Sequence, residues 1–150
     1  MQRNSLEIIR RINCLTTELE SLYHQAAREL GVADSVMCVI YMVHQKGDGC
    51  LLYDIWNESG ISKQTINSAI RKLEGDGILF LEQEKGKNKR IRLTPEGKRY
   101  VERTAGRMLE MECRAFDDWA EQEIGTYLNL MERYNRDFRA QVEQMEGSNV

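Results

Sequence analysis

The chain has 150 residues, 41% of them hydrophobic and 30% charged, enough apolar content for one modest core in a water-facing protein. Its apolar runs, such as Ile78–Leu81, are far shorter than the roughly 20 residues a membrane-spanning helix needs, and Met1–Glu7 lacks a secretory apolar block, so a cytoplasmic, membrane-free protein is expected. The net charge of −3 argues against a uniformly basic surface but conceals an asymmetry along the chain.

Residues 5–30 carry Leu6, Ile9, Ile12, Leu15, Leu19, Leu22, Tyr23, Ala26 and Leu30 at steps of three and four. That period predicts a long amphipathic helix ended by Gly31. A second helix is expected from the cap Asp34, with Val36, Val39, Ile40 and Val43 on one side, stopping at the turn cluster Lys46-Gly47-Asp48-Gly49. A short third helix covers about Leu51–Glu58 and closes at Ser59-Gly60. The fourth opens at Ser62, a good N-cap, and is terminated by Gly75-Asp76-Gly77.

The period then changes to two. Ile78–Gln83 reads as a strand, and Lys89–Leu93 alternates with Ile91 and Leu93 inward and Arg90 and Arg92 outward. The polar tip Glu84-Lys85-Gly86-Lys87-Asn88 makes the pair a hairpin. Thr94-Pro95-Glu96 combines a cap, a proline at the first helical position and an acid in the first turn, opening a helix expected over 95–118. A last helix is expected over 121–145, with Ile124, Tyr127, Leu128, Met131, Tyr134, Phe138 and Val142 on one side.

Two short helices joined by Ser59-Gly60-Ile61 form a helix-turn-helix. On the second, Ile66, Ala69, Ile70 and Leu73 share the face that docks on a core, while Gln64, Asn67, Ser68 and Arg71 point away, flanked by Thr65 and Lys72. Amides and hydroxyls on an exposed helix face suit base edges: Gln or Asn can pair bidentately with adenine, Ser and Thr contact several bases, and Arg71 can reach guanine or a phosphate. A solvated polar face is the plainer alternative. The hairpin that follows shifts the balance, because Lys85, Lys87, Lys89 and Arg90 place a basic wing beside that helix. Charge agrees. Ser62–Arg103 holds eleven Lys or Arg against six Asp or Glu, a local +5, and the rest of the chain carries −8. The candidate DNA-binding set is therefore Ser62, Lys63, Gln64, Thr65, Asn67, Ser68, Arg71, Lys85, Lys87, Asn88, Lys89 and Arg90.

Cys14, Cys38, Cys50 and Cys113 form no Cys-x-x-Cys pair, so neither a zinc site nor a redox dithiol is expected; they read as reduced thiols, mostly buried, with redox sensing through Cys14 or Cys113 as the alternative. His24 and His44 are isolated and are not expected to bind metal. No nucleophile elbow, phosphate loop or paired acid/base motif is present, so the chain is not expected to be an enzyme or to need a cofactor.

From Leu51 to Gly97 the sequence resembles the MarR family of bacterial transcriptional regulators. The resemblance rests on the run from Ser62 to Glu74, on Gly77-Ile78-Leu79, and on Leu93-Thr94-Pro95-Glu96-Gly97, which is similar to the family's Leu-Thr-x-x-Gly after the wing. The order and length of the flanking helices extend it to nearly the whole chain. It implies a mostly α fold: a winged helix-turn-helix of about six helices plus a β-hairpin wing, with the DNA-binding lobe at 34–94 and a connecting helix at 95–118. The terminal helices, 5–30 and 121–145, would form the dimerisation region, and their apolar stripes support a homodimer independently. The partners implied are double-stranded DNA with a pseudo-palindromic operator, a second copy of the chain, and a small-molecule effector that releases a repressor. Many family members carry Asp-x-Arg in the wing, where this chain has Lys85-Gly86-Lys87. The wing stays cationic but lacks that braced guanidinium, with Arg90 as a substitute. A winged helix used for protein contacts alone is a further alternative; the identity of an effector, the operator and the sign of regulation are not written in the sequence.

Overall fold

A computed structural model describes residues 2–147, with side chains from 4 to 145. The chain divides into two compact units, Met1–Met111 and Glu112–Val150.

The first unit begins with α1 (Gln2–Glu29), followed by α2 (Asp34–Lys46), α3 (Leu52–Glu58), α4 (Lys63–Gly75), β1 (Leu79–Gln83), β2 (Lys89–Leu93) and α5 (Pro95–Val101). A π-helical segment, Glu102–Gly106, leads into α6 (Arg107–Arg114). Val39, Ile40 and Val43 of α2, Ile55 of α3, Ile66, Ile70 and Leu73 of α4 and Ile91 of β2 are almost wholly buried together. The apolar face expected of α4 is thus the face that seats it. Burial of such side chains stabilises by about 1.5–3 kcal/mol each, which makes this cluster the anchor of the lobe.

Local chemistry explains the element ends. Ser62 accepts the Thr65 N–H at 3.1 Å and caps α4, and Thr94 accepts the Gly97 N–H at 2.9 Å and caps α5 ahead of Pro95. Gly60 sits in the turn between α3 and α4 with φ of 70°, a left-handed conformation that side chains with a Cβ resist. At Gly97 the constraint is space: a Cβ would run into the Ile78 carbonyl oxygen, which also accepts the Thr94 N–H at 3.0 Å. The glycine of the Leu-Thr-x-x-Gly run therefore lets α5 lie directly on the entry to β1.

β1 and β2 pair antiparallel with Leu81 opposite Ile91. A third segment joins them, unforeseen in the sequence. The Gly49 N–H donates to the Ile91 carbonyl at 2.8 Å, the Ile91 N–H donates to the Cys50 carbonyl at 2.9 Å, and Leu51 bridges Arg90. Residues 49–51 thus cover the free edge of β2 and tie the wing to the start of α3.

Several boundaries differ from those expected. Ala33, in an extended conformation, is the N-cap of α2; Asp34 is its first residue. An acid there still faces the positive helix end, and its carboxylate also accepts from His24 Nδ1 at 2.7 Å. α3 starts at Leu52 because Leu51 is used by the wing, and β1 starts at Leu79 because Ile78 serves the Thr94 turn. The helix expected over 95–118 widens at Glu102–Gly106, where the Thr104 hydroxyl donates to the Tyr100 carbonyl at 2.6 Å, and ends at Arg114. Beyond it, the N–H groups of Ala115, Phe116 and Asp117 reach carbonyls three residues back, tight turns that stop the α-helix.

In the second unit α7 spans Glu121–Gly147. Trp119 meets Phe116 and Tyr127 edge to face, with centroids 5.1 Å and 5.6 Å apart. Tyr134 stacks on Phe138 one turn further along α7.

The cysteines are less buried than expected: Cys14 and Cys113 are exposed, Cys38 and Cys50 half-buried. Cys14 lies on the open part of α1, outside the packed core. Burial pushes the Cys38 and Cys50 thiols upward, away from the thiolate form. No described helix is long and apolar enough to cross a membrane.

Candidate nucleic-acid interface

The reading face of α4 is built by the helix period. Ser62, Lys63, Gln64, Thr65, Ser68 and Arg71 are exposed, Asn67 is half-buried, and Ile66, Ala69, Ile70 and Leu73 hold the opposite face in the core. Ser62 lies 2.8 Å from the Thr65 hydroxyl as well as capping the helix, and the Ser68 hydroxyl donates back to the Gln64 carbonyl at 3.0 Å. The hydroxyls of Ser62, Thr65 and Ser68 are thus already engaged locally. Gln64 and Arg71 extend from the same face.

Between α3, α4 and the wing runs a groove of about 490 Å³. Lys63, Asn67 and Arg71 line it from α4, Tyr53 and Trp56 from α3, and Lys87, Asn88 and Lys89 from the wing. Six of the twelve residues in the sequence-derived set, three from α4 and three from the wing, thus share one concavity, whereas Ser62, Gln64, Thr65, Ser68, Lys85 and Arg90 do not line it. Glu74 also borders it, the one acid among its lining residues.

Ion pairing sorts the basic segment into two classes. Lys72 pairs with Asp76, Arg90 with Glu84, Arg92 with Glu82, Lys98 with Asp48, and Arg99 and Arg103 with Glu96. The other five cations, Lys63, Arg71, Lys85, Lys87 and Lys89, meet no carboxylate among the described residues. Four of these line the groove, and Lys85 stands at the wing tip. Uncompensated positive charge is therefore concentrated where α4 and the wing face the same space, although the chain as a whole is acidic.

The wing is held in shape from within. Gln83 Nε2 lies within hydrogen-bond distance of the carbonyls of Glu84, Gly86 and Asn88, at 3.3, 2.9 and 3.2 Å. The Glu84 N–H closes the loop onto the Asn88 carbonyl at 3.0 Å. Arg90 is turned inward: Nε and Nη2 donate to Glu84 Oε1 at 2.8 and 2.7 Å, and Nη1 donates to the Gly49 carbonyl at 2.8 Å. Its guanidinium is braced by an acid, but it braces β2 against the α2–α3 turn.

Asp48 fastens the base of the wing by accepting the Leu93 N–H at 2.9 Å and pairing with Lys98 at 3.2 Å. Burial opposes ionisation there, but the Leu93 N–H and Lys98 outweigh it and hold the Asp48 carboxyl below its usual range. Sequence reasoning missed this residue, and it missed Trp56. The Trp56 indole N–H donates to Asn67 Oδ1 at 3.0 Å, and Lys63 Nζ sits 3.8 Å from the centroid of the same ring. Nothing in the local sequence links residues 11 apart on two helices; only the helix-turn-helix crossing does.

Among the described residues no group of three or more His, Cys, Asp or Glu is placed to hold a metal.

No family model matches the chain, and no curated protein matches it in sequence. Solved structures match its fold. A MarR family regulator from Neisseria meningitidis superposes with a TM-score of 0.75 at 15% identity, covering 92% of this chain and 95% of that one. A MarR family regulator from Silicibacter pomeroyi gives 0.66 at 20% identity, over 82% of this chain and 84% of that one. The PcaV transcriptional regulator from Streptomyces coelicolor, solved with its natural ligand, gives 0.61 at 19% identity, over 81% and 89%. The chain has the winged-helix fold of MarR family transcriptional regulators, as its central sequence suggested.

Proposed function

We propose that this protein is a homodimeric transcriptional regulator that binds double-stranded DNA through α4 and the wing. The observation that carries the reading is the sorting of charge. Of eleven cations between Ser62 and Arg103, five meet no carboxylate among the described residues, and four of these are the cations that line one groove beside the polar face of a helix seated by the core. A merely solvated basic surface gives no reason for that segregation; phosphate contact does.

Dimerisation is supported by apolar surface left open on both terminal helices. On α1, Leu6, Leu15, Leu19 and Leu22 are each about half exposed, and on α7 so are Leu128, Leu130, Tyr134 and Phe138. Stripes of that length mark a surface that associates. Two copies would offer two reading helices to half-sites about 10 bp apart. Repression by promoter occupancy, relieved by a small molecule, is the mode of control we favour, and the ligand seen with the Streptomyces regulator supports an effector of this kind. Such an effector must distinguish the two conformations, and DNA must weaken its binding by the factor by which it weakens DNA binding.

The test is gel-shift binding to the DNA upstream of the protein's own gene, against scrambled DNA of the same composition. Saturable preference for the upstream DNA is expected. Equal binding to both would sink the operator reading.

A further inference from the structure

The contact between Trp56 and Asn67 bears on which base the reading helix can select. A tryptophan indole nitrogen is a donor only, so the Asn67 atom facing it at 3.0 Å has to be the amide oxygen. The usual ambiguity between the two ends of an asparagine amide is thereby resolved by chemistry. Both side chains are half-buried, and Lys63 packs on the ring face of the indole. Turning the oxygen outward would leave a half-buried indole N–H without its partner, which is disfavoured.

We propose that Trp56 is a positioning residue that fixes how Asn67 meets DNA. It holds the oxygen towards α3 and leaves the amide nitrogen as the outward group. Bidentate recognition of adenine needs an amide oxygen for N6–H and an amide nitrogen for N7, both turned to the base. With the oxygen retained by Trp56, Asn67 offers donors, which suit guanine N7 and O6 or thymine O4. The sequence reading of Asn67 as an adenine reader changes accordingly. This inference rests on the DNA-binding function proposed above.

The experiment measures binding of the full-length protein to its upstream DNA fragment, with each half-site position changed in turn to all four bases. Wild type is compared with Asn67→Ala, Trp56→Phe and Asn67→Asp, with thermal melts to verify folding. Asn67→Ala is expected to flatten preference at one position, where wild type selects guanine or thymine. Trp56→Phe keeps an aromatic ring but frees the amide, so adenine should gain about tenfold there, relative to wild type, and nowhere else. Asn67→Asp keeps an acceptor for the indole and replaces the outward nitrogen by oxygen, moving preference there to cytosine, whose N4 donates, while weakening binding generally. That arm keeps the proposal testable should Trp56→Phe fail to fold. A wild-type preference for adenine at that position, a base profile unchanged in Trp56→Phe, or one unchanged in Asn67→Asp overturns the inference and leaves DNA binding standing. Absence of base preference at every position overturns the inference together with the operator reading, and absence of binding overturns the DNA-binding function itself.

Discussion

Lys87→Ala and Arg99→Ala remove one cation each from the same basic segment, yet they should behave differently on DNA. Lys87 lines the groove and meets no carboxylate among the described residues, whereas Arg99 pairs with Glu96 at 2.6 Å. Each phosphate neutralised releases counterions, so a dimer using all five unpaired cations per subunit has a limiting slope of log K against log salt of about −9. Doubling the salt would then weaken binding about 500-fold. Losing Lys87 from both subunits should flatten the slope by about 1.8, while losing Arg99 should leave it nearly unchanged. Fluorescence anisotropy of a labelled duplex between about 50 and 300 mM salt reads both slopes. An equal flattening by the two variants would refute the sorting of charge by ion pairing, and a wild-type slope near zero would refute phosphate contact altogether.

Other consequences are independent of DNA. Gly97→Ala places a methyl group against the Ile78 carbonyl and should cost about 1–3 kcal/mol in urea or thermal unfolding, the range for overpacking a close contact. Because the Asp48 carboxyl lies below its ordinary value of 3.8 when folded, it stabilises the fold above that pH, and the contribution is lost as pH falls through the lowered value. Asp48→Asn should therefore lower the unfolding midpoint at pH 7, with the gap from wild type closing as the pH falls below 3.8 and through the lowered value. Leu19→Glu or Phe138→Glu, on the exposed apolar stripes, should shift the protein from dimer to monomer in sedimentation experiments; a dimer unchanged by both would place the interface elsewhere.

Periodicity made the helix-turn-helix legible, because the face of α4 that packs is dictated by spacing alone: Ile66, Ala69, Ile70 and Leu73 are all buried. Ser62 and Thr94 were legible as caps for the same local reason. Features that depend on distant partners were not. Arg90 reads as an outward wing cation until its 2.8 Å bond to the Gly49 carbonyl, 41 residues away, is seen. Likewise, Asn67 reads as a freely presented amide until the α3–α4 crossing brings Trp56 to it. The missed end of the 95–118 helix has another cause: apolar spacing remains helical past Arg114, and the tight turns at 115–117 replace it without changing that pattern.

The central claim is that α4 and the wing form one DNA-binding surface, and amide hydrogen exchange with and without the upstream duplex tests it most directly. Slowed exchange concentrated in 62–71 and 84–90, around the groove that holds Lys63, Arg71, Lys87 and Lys89, is the result expected. Protection confined to other segments, with these two unchanged at saturating DNA, would contradict it.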